Sequence, residues 1–502
     1  VTIALIVFIF FFILVTVAGF LAARWRRPVL GMHSLDEWGL GGRSFGTWTS
    51  WFLMGGDTYT AYTVIAVPAA LYGAGASGFF ALPYAIIAYP YMMVCLPRLW
   101  SICHRHGYVT FADFVAGRYS FKPLTLAIAF TGILALMPYI ALQLVGIKVV
   151  IAAFGITGEW PLILAFVILS AYTWSSGLRA PAVIAIVKDV MLYTMVLVAI
   201  IWLPIKLGGY ARIFEIANQR LGTHGASVHL AQGQFLGYST LAIGSAIALM
   251  LYPHTATAVL SAKSANTVRR NAVMVPSFSF LLGLIAILGY AALAAGITVK
   301  PTETSNIIPM LFLQQFPPAF AGFCLAAIAV GALVPAAIMS IAASNLFTRN
   351  IWGVFTSTPM TPKQESSMAK TVSLLVKFGA LVFVLKLQTA YAIQMQLLGG
   401  IWITQLFPAV ILGCFLRSTS RFALHPWALF VGWAAGMACG TGMAWSLSLK
   451  SSIYPIPHVG GVYAAIPALL LNLGIAALGT AILRLTPIRA TEDITDPSAY
   501  IL

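Results

Sequence analysis

The feature that most limits this chain is a succession of apolar runs, most of them near the 20 residues a helix needs to cross a bilayer. Thirteen are marked here: 2–23, 46–71, 77–102, 123–154, 161–174, 182–205, 234–261, 272–297, 318–348, 368–387, 390–416, 424–447 and 462–483. Lipid offers no hydrogen bonds, so each run has to pair its own backbone groups, and helices do that. The expected fold class is an all-α polytopic membrane protein. Composition agrees. Of 502 residues, 60% are hydrophobic and 8% charged, where soluble domains run near 25% charged. A water-soluble enzyme, a disordered chain and a nucleic-acid binder are excluded as the main body.

Charge then gives an orientation. Lys and Arg total 28 against 12 Asp and Glu, a formal net charge of +16. Sorted by alternate loops, nineteen basic residues fall on one side and six on the other, with Lys148, Lys188 and Lys377 inside the runs. The richer side is expected to be cytoplasmic. That places the N-terminus outside and the C-terminus inside a plasma (inner) membrane crossed many times. Arg24, Arg26 and Arg27 follow the first run instead of preceding it, so the run reads as a span and not as a signal peptide. The longest outer loop, 206–233, and the polar tail after Arg489 are too small for further domains, and the tail reads as disordered.

Two runs are interrupted in a way that points to a site. Irregular backbone survives at membrane depth only inside protein or around a cavity. The second run carries Met54-Gly55-Gly56-Asp57-Thr58-Tyr59-Thr60-Ala61-Tyr62-Thr63, and a break is expected near Gly55 to Thr58. The seventh carries Gly244-Ser245 and then Tyr252-Pro253-His254-Thr255. Second and seventh are five apart, as two inverted five-helix repeats require. A glycine packing face is the plainer reading of the second run. Asp57 argues against it, because an acid inside the membrane is costly and usually functional. His254 reads equally as a satisfied structural histidine or a substrate contact. Lys188-Asp189 reads either as a snorkelling lysine with its neighbour or as a coupling pair. Lys148 and Lys377 read as snorkelling lysines. Tyr139 and Gln143, one turn apart, face either a cavity or the core, and Gln394, Gln396 and Gln405 share that status.

Enzyme signatures are absent: no Walker A, GxSxG, HExxH or CxxCH stands in the chain. The five cysteines form no metal spacing, and His104 and His106 lie in a basic loop without acidic partners, so they read as solvated. No catalytic residue, metal or cofactor is expected. A channel would show a repeated filter or a ring of like charge, and neither is present. A membrane sensor or enzyme would need a domain or a catalytic set the chain lacks. A secondary transporter remains.

Several motifs in order resemble the sodium:solute symporters. Gly41-Gly42-Arg43-Ser44-Phe45-Gly46, the broken helix and Pro68-Ala69-Ala70-Leu71-Tyr72 look like that family's entry to its first core helix. Thr110-Phe111-Ala112-Asp113-Phe114 with Arg118 looks like its T-x-x-D-F-x-x-x-R inner loop. Tyr252-Pro253-His254 with Ala262-Lys263 and Arg269-Arg270, and Ser344-Asn345-Leu346-Phe347-Thr348-Arg349-Asn350, resemble its sixth and eighth core helices. The resemblance implies a LeuT-like core of ten helices in inverted repeats: 1–45 an extra helix and inner loop, 46–205 the first repeat, 234–416 the second, 424–483 two further helices, and 484–502 a cytoplasmic tail. It implies a small solute moved with an ion by alternating access. Gly55-Gly56-Asp57-Thr58-Tyr59-Thr60 and Val334-Pro335-Ala336-Ala337 look most like bacterial monocarboxylate permeases for pyruvate, lactate and related acids. The substrate carboxylate is expected near Thr58, Thr60 and Thr63, with Tyr62, Gln143 and His254 as walls.

The resemblance also bears on the coupling ion. Family members hold sodium between the first and eighth core helices, with backbone carbonyls that correspond to Gly56 and Tyr59. The two hydroxyl positions on the eighth helix fall on Val334 and Pro335, which carry no side-chain oxygen. Where the family has Thr before an Asp, this chain has Lys188 before Asp189. Sodium-independent carriers of similar fold place a lysine there. An ammonium stands in for the cation and can release its proton, since taking a charge out of water favours the neutral form. Proton coupling through Lys188 and Asp189 is therefore expected, with Asp57 as the alternative carrier. The other reading is a sodium-coupled symporter of another small solute, such as an amino acid.

Overall fold

The structure is a computed structural model and describes residues 2–25, 32–156, 158–356, 358–386, 389–488 and 490–500. Arg26, Arg27, Arg489 and the side chain of Gln394 lie outside that description. Helix α1 (Thr2–Leu21) leads to the short α2 (Leu35–Leu40). The second apolar run is α3 (Thr47–Thr58), two irregular residues, a π-helical turn (Tyr62–Ala66) entered from Ala61, and α4 (Val67–Ala74). Then come α5 (Ala81–His106), the short α6 (Phe111–Tyr119), α7 (Lys122–Ala153), α8 (Trp160–Ser176), α9 (Arg179–Leu207) and α10 (Tyr210–Gly222). The seventh run is α11 (Phe235–Leu251) and α12 (Pro253–Leu260), followed by α13 (Ala265–Met274), α14 (Pro276–Ala294) and α15 (Ile307–Gln315). Helix α16 (Pro318–Leu346) passes through a π-helical turn into α17 (Gly353–Phe355). Next are α18 (Pro362–Lys386), α19 (Thr389–Thr404), α20 (Gly413–Phe415) and α21 (Pro426–Ser446). A hairpin of β1 (Ile453–Ile456) and β2 (Gly460–Tyr463) leads to α22 (Ala465–Leu483).

The expected count of thirteen spans is not reproduced by length and apolarity. Among the described residues eleven helical stretches qualify, and Trp160–Ser176 is a shorter apolar helix of 17 residues. The second run drops out because its break leaves α3 too short, while its far half runs on through a 3-10 turn into α5. Helix α16 is the buried axis of the molecule. Its most apolar window is wholly enclosed by protein, whereas that of α1 is 22% buried and faces outward.

Loops that the charge count assigns to one side do meet on one face, here called the basic face. Phe45 pairs with Ala262 as a parallel bridge: its N–H donates to the Ser261 carbonyl at 3.2 Å, and Lys263 N–H donates to its carbonyl at 2.9 Å. Thr110 caps α6 by accepting from Asp113 N–H at 3.0 Å, while the Asp113 carboxylate accepts from Thr110 N–H at 3.2 Å. That reciprocal box explains the T-x-x-D spacing, since both free donors of the first turn find acceptors. Asn350 ties the box to α16, donating to Asp113 at 2.6 Å and accepting from the Thr110 hydroxyl at 2.6 Å.

Two polar expectations on this face need correction, and one deeper in the membrane. The tail is ordered over 490–500: Asp493 pairs with Arg118 at 3.2 Å, Ile494 N–H donates to the Gly117 carbonyl at 3.0 Å, and Asp496 pairs with Arg105 at 3.2 Å. His106 is not merely solvated, because its Nε2 accepts from Asp496 N–H at 2.9 Å. His104 stacks on Trp100 at 4.5 Å between centroids. Deeper in the membrane, Lys377 does not snorkel; it is 2% exposed. Lys148 does reach the surface, 3.1 Å from Glu159.

Candidate substrate and coupling site

The break in the second run falls one turn later than expected. Helix α3 continues through Gly55 and Gly56 to Thr58, the irregular residues are Tyr59 and Thr60, and Ala61 is already helical. The two glycines allow packing here: a Cβ on Gly55 would enter the Phe278 ring, and one on Gly56 would lie 3.1 Å from both Lys188 Nζ and Asp189 Oδ2. Backbone groups freed by a break need other partners. Ala61 N–H donates to Gln143 Oε1 at 2.9 Å. Tyr62 N–H donates to the Thr60 hydroxyl oxygen at 3.1 Å, and the Thr63 hydroxyl donates to the Thr58 carbonyl.

The freed carbonyls are met by a cation. Lys188 Nζ donates to the carbonyl of Gly56 and, at 3.3 Å, to that of Tyr59. Its chain neighbour Asp189 places Oδ1 3.1 Å from the same nitrogen, and both residues are completely buried. These are the two carbonyls the resemblance assigns to an ion. Val334 and Pro335 are enclosed in α16. The nearest serines down that helix turn their hydroxyls back on it, Ser340 to the Ala337 carbonyl at 2.8 Å and Ser344 to Ile341 at 2.7 Å. Ser340 also accepts from Ser373 of α18 at 3.1 Å.

In the seventh run the break is a single extended residue, Tyr252 (φ −60°, ψ 137°), before Pro253 opens α12. Proline suits a first helical position because its missing N–H would be unpaired there. The Thr255 hydroxyl reaches back to the Leu249 carbonyl at 2.8 Å. His254 Nε2 lies 3.6 Å from Asp57 Oδ2, so the two breaks face each other, although that separation is too long for a hydrogen bond. Among the described residues, Asp57 Oδ1, His254 Nδ1 and the Tyr252 hydroxyl have no hydrogen-bond partner.

The expected site residues therefore divide. Tyr62 lines a cavity with Tyr84, Tyr139, Ser245, Tyr252, Gln396 and Tyr463, holding about 40 Å³ of room for water centres. A buried water needs roughly 10–15 Å³, so the space suits a molecule of very few atoms. Thr58 and Asp57 line a different, smaller cavity of about 20 Å³ with Met54, Tyr89 and Thr255. Thr60, Thr63 and Gln143 are occupied within the break. Gln143 also donates to the Tyr139 carbonyl at 3.2 Å. His254 sits between the Tyr139 and Tyr252 rings, at 5.5 and 5.1 Å between centroids. Sequence reasoning did not place Tyr84 or Tyr463 at the site. A hydroxyl inside an apolar run was the one available signal, for Tyr84 in 77–102 and for Tyr463 at the start of 462–483 alike.

Known proteins match this arrangement. A model of the sodium:solute symporter family matches residues 38–432. A monocarboxylate transport permease protein of Rhizobium johnstonii is 48% identical over 493 residues, 97% of this chain and 98% of its own length. An uncharacterized symporter of Bacillus subtilis, YodF, is 32% identical over 84% of this chain and 83% of its own. The solved structure of a Na+-coupled sialic acid symporter superposes with a TM-score of 0.78 at 14% identity, covering 98% of this chain and 99% of that one. The fold is thus the LeuT-like one of inverted repeats, and the chain belongs to the sodium:solute symporter family.

Proposed function

We propose that this symporter carries small monocarboxylates, pyruvate and lactate among them, by alternating access, and couples their uptake to protons. The 48% identity to a monocarboxylate permease supports the substrate class. The coupling reading rests on one observation: the Lys188 ammonium is seated on the carbonyls of Gly56 and Tyr59, with Asp189 beside it. A hard cation such as sodium needs a shell of oxygens, and Val334 and Pro335 supply no side-chain oxygen. When Lys188 carries a proton it closes the break. When the proton leaves, the neutral amine holds those carbonyls more weakly, because a hydrogen bond from a charged donor is about twice as strong as one from a neutral donor, and the two states of the break follow the proton. In this reading 46–205 and 234–416 are the two repeats, the basic face is cytoplasmic and the N-terminus lies outside.

The carboxylate of the solute belongs in the tyrosine-lined cavity. Phenol hydroxyls and the Gln396 amide recognise an anion without a fixed charge, which leaves release easy. Asp57 favours a second reading. With Thr58 and Thr255 it lines a small cavity with carboxylate and hydroxyl oxygens, a donor set suited to sodium. Uptake in proteoliposomes separates the two. Proton coupling requires pyruvate uptake without sodium, collapse by a protonophore and failure in Lys188→Ala. Strict sodium dependence refutes it and restores sodium symport.

A further inference from the structure

The cavity has one wall that the ten-helix core does not supply. Tyr463, the last residue of β2, lines it although the hairpin stands between α21 and α22. Its ring is 1% exposed. The backbone N–H of Tyr463 donates to the Thr240 hydroxyl on α11 at 3.0 Å, and its own hydroxyl donates to the Leu397 carbonyl on α19 at 2.9 Å. Tyr463 thus bridges two core helices that flank the cavity. The hairpin gives it a fixed position: Ile453 pairs with Tyr463 and Tyr454 with Val462.

Room for the ring is built into both helices. A Cβ on Gly244 of α11 would fall 2.5 Å from a Tyr463 ring carbon, and one on Gly400 of α19 would fall 2.5 Å from its hydroxyl oxygen. The Gly244-Ser245 pair, which stands eight residues before the break at Tyr252, therefore has a use apart from breaking the helix. Gly244 admits the ring and Ser245 lines the cavity beside it.

We propose that the hairpin is a lid on the face opposite the basic loops, and that Tyr463 sets the length of the acid the cavity accepts. This rests on the substrate reading above for its ligand class, but the lid itself does not. The ring lines the cavity together with Leu397 and Gly400, and its hydroxyl lies against both. An acid longer by one methylene has to displace the ring and lose its bond to α19. Removing the ring opens the cavity toward the hairpin face.

Two measurements on the full chain in proteoliposomes test it. In the first, pyruvate and 2-oxohexanoate are compared as substrates. Tyr463→Ala is expected to raise 2-oxohexanoate uptake relative to pyruvate by at least about tenfold, the discrimination one or more methylenes give in a tight pocket. Tyr463→Phe keeps the ring and is expected to keep the length preference, and a length profile shifted as far as that of Tyr463→Ala overturns the role of the ring. An unchanged length profile in an active Tyr463→Ala overturns the proposal. The second measurement needs no substrate: Ser245→Cys is labelled by a membrane-impermeant thiol reagent, with and without Tyr463→Ala. Faster labelling in the double variant supports the lid, and equal rates overturn it. Failure of all monocarboxylate uptake with faster labelling sinks the substrate reading and leaves the lid standing.

Discussion

The two interrupted helices solve the same problem in opposite ways. Between α3 and α4 the freed backbone groups are taken up by side chains of other helices, Lys188 and Gln143, and by neighbouring threonines. Between α11 and α12 the break is one residue long, proline removes one donor, the Thr255 hydroxyl takes the Leu249 carbonyl, and among the described residues the Tyr252 hydroxyl and His254 Nδ1 have no partner. The first break is closed by side chains from other helices, whereas the second closes within its own helix and leaves a phenol and an imidazole nitrogen without partners among the described residues. Closure by an ionisable group suits a break that responds to the coupling ion. Open hydroxyl and imidazole groups suit a break that waits for the solute.

Lys188→Ala should break this comparison most severely. It leaves a buried Asp189 unpaired and two carbonyls without a donor, and removing one partner of a buried ion pair costs about 3–5 kcal/mol. Uptake driven by a pH gradient should vanish, as followed with labelled pyruvate. If added sodium then restores transport, the vacated position is an ion site and the closure is electrostatic. Wild-type uptake in Lys188→Ala would end the coupling role.

Tyr252→Phe probes the open break. A phenol donating to a carboxylate contributes about 1.5–3 kcal/mol, so pyruvate affinity should fall by roughly tenfold to a hundredfold, read by competition for uptake. An unchanged affinity would mean that the solute binds elsewhere. Gln143→Leu probes the closed one through stability. It leaves Ala61 N–H unpartnered in the interior, at about 1–3 kcal/mol, and should lower the Tm of the purified protein while keeping the order of solute preference. A changed preference would turn Gln143 from a support into a solute contact.

The smallest effect is expected for Thr60→Val and Thr63→Val. Their hydroxyls are engaged within the break, so each change should cost about 1 kcal/mol in stability and shift uptake of pyruvate against lactate hardly at all. A tenfold loss of affinity in either would bring the carboxylate back to the threonines, where the residue types alone had suggested it.

That contrast shows what could be read from residues. Apolar runs located most of the membrane-length helices within a few positions, because in lipid the length and polarity of a segment dictate its structure, but not α2, α6, α10, α13 and α15, which lie mostly between the runs. The Lys188–Gly56–Tyr59 meeting was also legible, since a lysine in an apolar run must find acceptors and the resemblance named them. The exact break was not. Gly55 and Gly56 looked like the interruption, but they serve close contacts with Phe278 and Lys188, and the helix passes through them. Nor was the cavity wall: Tyr463 reaches Leu397 through a hairpin register and a fold that brings distant segments together. The tail misled for a related reason. Its polar composition resembles that of a disordered segment until Arg118 and Arg105 are placed beneath it.

The bridge between Phe45 and Ala262 has a mechanical consequence. It fastens the start of α3 to the end of α12, so the two half-helices that carry Asp57 and His254 share one anchor on the basic face. Both its bonds are between backbone groups, and substitutions other than proline leave them intact. A lever pinned in this way has fewer independent joints than two separate half-helices. Either the pair swings as one piece, or two hydrogen bonds of about 0.5–1.5 kcal/mol each are broken first. Such a pin passes movement at one break to the other without a signal through side chains, and it survives sequence drift that would erase a salt bridge.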